Sequence, residues 1–169
     1  MARVWDPAVR IFHWTLVLSF GIAWFTSHSS ESIHQWAGYY AAALVVARVF
    51  WGFFGTSNAR FSQFVRGPTT VLRYLLAIFH GREARHIGHN PAGGAMVLVL
   101  MVTMTATALT GWMMTTDTYF GVPWVGRTHD LIAHSLLLLV FIHIGGVFLA
   151  SFRHRENLVE AMITGQKHT

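Results

Sequence analysis

Four apolar stretches, each near the length needed to cross a bilayer, constrain this sequence more than any other feature. They run from about Ala8 to Thr26, Ile33 to Phe54, Pro91 to Thr115 and His129 to Phe152. The hydrocarbon core of a bilayer takes about 20 helical residues to cross, and every backbone amide inside it must be bonded within its own segment, so such stretches fold as helices. Only 11% of the 169 residues are charged, against roughly 25% in soluble domains. The expected fold class is an all-α membrane protein, a bundle of four transmembrane helices. It occupies residues 1–169 as one domain and leaves no room for a separate soluble one.

The boundaries carry their own chemistry. Asp6-Pro7 and Asn90-Pro91 each set a capping side chain ahead of a proline at the first helical position, and Ser32 and Gln35 have the spacing of a capping box. Gly55 suits a helix stop. The first apolar stretch has no small-residue cleavage site after it and reads as a retained span. Residues 55–90 hold Arg60, Arg66, Arg73, Arg82 and Arg85 against the single acid Glu83, so this segment belongs beside a membrane. Within it, residues 68–80 repeat Leu72, Leu75, Leu76 and Phe79 at helical spacing, which predicts an amphipathic interfacial helix. The stretch TTDTYFGVPWVGRT reads as an aromatic-bearing loop at a membrane interface, and the tail from Arg153 as a short amphipathic helix with a frayed end.

The pI near 10.5 does not imply nucleic acid, because the cations are dispersed between apolar blocks and form no single patch. They sort by side instead. Arg3, Arg10, the five arginines of 55–90, Arg153, Arg155 and Lys167 fall on one side, and Arg127 on the other. The positive-inside rule then makes both termini and the long segment cytoplasmic, with the short loops near residues 30 and 120 facing outward, across the inner membrane of a bacterium. The chain has no cysteine, which excludes disulfides, iron-sulfur clusters, thiolate haem ligation and covalent c-type haem.

An ionisable side chain in a span is costly enough that function is its default reading. His129 and His143 lie fourteen residues apart, which on a helix brings them to nearly one face at depths differing by about 21 Å. That spacing suits two sites stacked across one bilayer. His134, nine residues from His143, falls on roughly the opposite face. By depth, His13 in the first span pairs with His143, and His34 in the second pairs with His129. Two neutral imidazoles facing each other make the axial ligands of a six-coordinate, electron-transferring haem. Two other readings stay open on the residues alone: helix-packing or interfacial histidines, and a metal site or proton path, although the acids near the spans, Glu31, Asp117 and Asp130, lie only at outer edges. His28, His80, His86, His89, His154 and His168 fall in loops or tails and read as solvated. Gly38, one turn from His34, leaves room for a planar cofactor. Arg48, fourteen residues after His34, is placed to pair with a propionate or to snorkel, and Arg10 and Arg127 are weaker edge candidates. The methionines of the third span, Met101, Met104, Met113 and Met114, read as packing.

Several strings are familiar together: FHW in the first span, IHQWAGYY and RVFWGFFG bracketing the second, and the two histidines of the fourth. Over essentially its whole length the chain resembles the bacterial cytochrome b561 family, related to the b-type cytochrome subunits of nickel-iron hydrogenases. The resemblance implies one ligand each from the first and second spans and two from the fourth, hence His13, His34, His129 and His143 holding two haem b groups. It also implies electron exchange with the quinone pool, as ubiquinone or another quinone, in a respiratory chain. The function expected is a transmembrane dihaem cytochrome passing electrons between quinone and a redox partner such as a periplasmic protein. The alternative is a superoxide:quinone oxidoreductase, and the third reading a haem-free membrane anchor or transporter.

Overall fold

The computed structural model describes residues 2–167. The chain is helical apart from one two-residue ladder. The long helices are α1 (Pro7–Thr26), α2 (Glu31–Phe54), α5 (Pro91–Met114) and α6 (Pro123–His154), and all four are long and apolar enough to cross a membrane. Shorter helices are α3 (Phe61–Phe64), α4 (Pro68–Phe79) and α7 (Leu158–Thr164), and the strands are β1 (Ala2–Arg3) and β2 (Gln166–Lys167). Two compact units emerge. One comprises Met1–Arg10, Phe50–Val99 and Phe141–Thr169, the other Ile11–Val49 and Leu100–Val140.

Local chemistry explains the helix starts. The Oδ1 of Asp6 accepts from the Ala8 amide at 2.7 Å, and that of Asn90 from Gly93 at 2.7 Å, each across a proline that needs no partner. At α2 the cap is Ser30, not the Ser32 expected from capping-box spacing. Its Oγ meets the Ile33 amide at 3.5 Å, while Gln35 reaches back to Glu31 at 3.0 Å. α6 begins at Pro123, six residues before the expected start, because Gly121 takes φ of 72° to turn the chain and Pro123 presets the first helical φ. Its 32 residues extend about 48 Å, beyond the roughly 30 Å of a hydrocarbon core.

The unit carrying the termini is held by polar contacts. β1 and β2 pair antiparallel, Ala2 with Lys167 and Arg3 with Gln166. The amides of Val4 and Trp5 then donate to the Gly165 carbonyl at 2.9 and 3.2 Å. Gly165 closes α7 at φ 82°, and a Cβ there would stand 3.0 Å from the Trp5 carbonyl and 3.2 Å from Arg10 Nε, so no other residue fits without strain. The frayed end expected from the polar tail is therefore not observed through residue 167, where strand pairing and ion pairing hold the chain; His168 lies outside the described residues. Glu156 accepts from Arg85 and lies 3.2 Å from the Lys167 ammonium, which is only 7% exposed. Burial opposes ionisation of Glu156, but the hydrogen bonds from Arg85 and Lys167 outweigh it and hold its carboxyl below the ordinary range. Glu83, bonded to Arg153 at 2.8 Å, is lowered chiefly by that bond, and the same arginine caps α4 through the Ile78 carbonyl at 2.7 Å. α4 buries Tyr74 and turns Leu72, Leu75, Leu76 and Phe79 outward.

Candidate functional site: a cross-helix imidazole pair

The second unit gathers stretches of all four long helices. Its buried residues are mostly small or flexible, Ala37, Ala41, Val45, Met101 and Met104, with Val125 and Leu136 fully enclosed. At one end of it His34 of α2 and His129 of α6 face each other, ring centroids 6.1 Å apart and ring planes at 84°. Each ring is held by its Nδ1. The Nδ1 of His34 lies 2.8 Å from the Ala23 carbonyl of α1, and the Nδ1 of His129 lies 3.1 Å from the Thr107 carbonyl of α5. A carbonyl can only accept, so both Nδ1 atoms carry the proton and both Nε2 atoms keep a lone pair. This is the tautomer a metal-ligating histidine adopts, with its second nitrogen donated to a backbone oxygen. His80, His86 and His134 differ, since their Nδ1 atoms turn to carbonyls two or four residues back on their own segment.

The donor set fits a haem. Two metal–imidazole bonds of roughly 2 Å each, plus the ring radii on either side, match the observed centroid separation. Two nitrogens alone make a poor cage for a bare ion, and among the described residues no three His, Cys, Asp or Glu side chains gather as one. His34 and His129 would hold a haem between them, whose ring would supply the further donors that the protein does not. Gly38, one turn along α2 from His34, would meet nothing within 4 Å if it carried a Cβ, so space is open beside the pair.

Gly111 is crowded where Gly38 is open. A Cβ on Gly111 would stand 3.1 Å from Cε1 and 3.4 Å from Nδ1 of His129. Sequence reasoning missed it, together with Thr107 and Thr110, because α5 lacks any ionisable residue and its threonines look like packing. The one available signal was TALTG, two hydroxyls and a glycine brought to adjacent faces by helical spacing. Gly111→Ala should push the His129 ring by a few tenths of an ångström and weaken cofactor retention roughly tenfold, the low end for a residue supporting a metal ligand. The check is the haem absorbance kept through repeated detergent exchange, compared with the wild type.

The remaining candidates are placed as follows. His13, half-buried on α1, makes an edge contact with Trp14 at 5.0 Å and belongs to this unit, whereas His143, also half-buried, belongs to the unit with the termini. Arg48 is 4% exposed on α2, withdrawn from the surface that snorkelling would require. Arg10 donates to the Ile163 carbonyl, tying the start of α1 to the last turn of α7. Arg127 is exposed on α6.

The chain matches the family model for prokaryotic cytochrome b561 over residues 4–165, nearly all of its length. It belongs to that family. As a cytochrome b561 it is a b-type haem protein of electron transfer, and its four apolar helices make it a multi-pass membrane protein. No curated protein and no solved structure matches the chain.

Proposed function

We propose that this cytochrome b561 holds two haem b groups and carries electrons between a membrane quinone and a redox partner on the far side of a bacterial inner membrane. The observation that supports this best is the His34–His129 pair, two rings at axial-ligand separation whose Nδ1 protons are both directed to neighbouring helices. His13 and His143 are the second pair, on the strength of helix register and of the ligand pattern that the family resemblance implies. A bound haem supplies the reversible one-electron couple, and the protein supplies ligands, charge and exclusion of water. Arg48, buried and cationic, balances a propionate and favours the reduced site. The cation-rich segments at both termini and at 55–90 support a cytoplasmic location for that side, with the outward apolar row of α4 resting in the membrane interface. The pair at His34 and His129 then lies toward the periplasm, with Arg127 as the nearby cation that attracts an anionic donor.

Haem quantification and redox titration of the protein purified in mild detergent test the proposal. Two low-spin haems per chain are expected, and His143→Ala should remove one while leaving the other's spectrum and potential in place. A single haem in the wild type, or none, refutes it. So does a His143→Ala protein that keeps both.

A further inference from the structure

The two imidazoles of the pair are not held alike. His34 has one acceptor, the Ala23 carbonyl at 2.8 Å, whereas His129 Nδ1 lies 3.1 Å from both the Thr107 carbonyl and the Thr110 hydroxyl. A hydroxyl has one proton, and Thr110 Oγ1 lies 2.8 Å from the Ala106 carbonyl and 3.0 Å from the Thr107 carbonyl of its own helix. Carbonyls cannot donate, so that proton stays within α5 and the oxygen turns a lone pair toward His129. The Nδ1–H is thus shared between two oxygens. Thr110 is 9% exposed, and Gly111 beside it leaves room for the ring edge.

We infer that Thr110 is a positioning residue whose hydroxyl, accepting from His129 Nδ1, sets the redox potential of the haem at His34 and His129. This rests on the ligand reading above. An acceptor on the distal nitrogen pulls the imidazole toward imidazolate and makes it a stronger donor to iron. A more basic ligand favours the oxidised metal, so the shared bond depresses the potential of this haem. The motif matters as a unit: Thr107 supplies a backbone oxygen, Thr110 a side-chain oxygen, and Gly111 the clearance, all from a helix with no ligand of its own.

The test is potentiometric titration of Thr110→Val and Thr110→Ser in the full-length, haem-loaded protein, with electron paramagnetic resonance to follow the ligand field. Valine keeps the shape and removes the oxygen. The potential of one haem should rise in Thr110→Val, by about fivefold in its reduction equilibrium, the weight of one net hydrogen bond. Its low-spin signal should shift while the other haem stays unchanged. Serine should restore the wild-type potential. Loss of that haem in the valine variant alone also supports the assignment, since serine keeps the hydroxyl and valine does not. An unchanged potential with haem retained overturns it, as does an equal shift or equal loss in both variants, which would show that the hydroxyl kept by serine is not what sets the potential. His129→Ala serves as the control. If it leaves both haems intact, the ligand reading fails, whatever Thr110 does.

Discussion

His129→Ala is expected to cost the protein one of the two proposed haems and to leave the other with an unaltered spectrum and potential. Loss of an axial ligand removes an iron–nitrogen bond outright. It also leaves the Thr107 carbonyl and the Thr110 hydroxyl without the imidazole that both now meet at 3.1 Å. His34→Ala should give the same spectrum, because the two rings lie 6.1 Å apart and the proposed pairing has them share one haem. The double variant should be no worse than either single one. This non-additivity separates shared ligation from two independent packing histidines, whose losses would accumulate. Pyridine haemochrome absorbance per polypeptide and a redox titration of the residual haem read it out. Loss of both haems in either single variant would overturn the pairing.

Glu156→Ala is expected to give the largest loss of stability outside the spans. Glu156 is where three remote parts of the chain meet: Arg85 from the segment before α5, Lys167 of β2, and the turn that follows α6. Lys167 is 7% exposed, so removing the carboxylate strands a buried ammonium. Stranding a fully buried charge costs about 3–5 kcal/mol, and the half-exposed Arg85 lowers the expectation here to about 2 kcal/mol. Limited proteolysis should then cut the tail and the 80–90 segment far sooner than in the wild type, while the haem proposed for His34 and His129 is retained. Glu156→Ala combined with Lys167→Met should recover much of the protection, since no charge is left stranded. Failure of that rescue would show that the ion pair is not what holds the tail.

Acid should reproduce the effect. The folded carboxyl of Glu156 is held below its ordinary range, so its contribution is fully present above the ordinary glutamate pKa and is lost as pH falls through the folded value. Proteolytic protection of the tail should persist at pH values where free glutamates are already half-protonated and fail only below them. Glu156→Ala should show no such acid transition.

What the sequence by itself determined was most of what depends on one helix at a time. Apolar length marked four helices, and Asp6-Pro7 and Asn90-Pro91 marked two of their starts, because caps and proline act on amides within one turn. Fourteen-residue spacing put His129 and His143 on one face of α6, since helical twist is a local property. Local signals misled only where two of them competed. Ser30 and Ser32 both suit a cap, and Ser30 is the one whose Oγ meets an amide of α2. Aromatic and glycine content suggested a loop over residues 123–128, where Pro123 in fact starts a helix. Tertiary structure alone decided how α5 is rotated about its axis, and with it that Thr107, Thr110 and Gly111 support His129. α5 has no ionisable residue and its threonines are spread along it, so TALTG alone gives only a weak mark of its orientation in the sequence. Which nitrogen of His34 and His129 keeps its lone pair was equally hidden, because that depends on carbonyls of the preceding helix in each case, Ala23 and Thr107, and on how the two helices pack. The joining of residues 2–5 to 165–167 had no pattern to announce it either: it is made by backbone hydrogen bonds and by Lys167 meeting Glu156, and such contacts between distant segments exist only once the chain has folded.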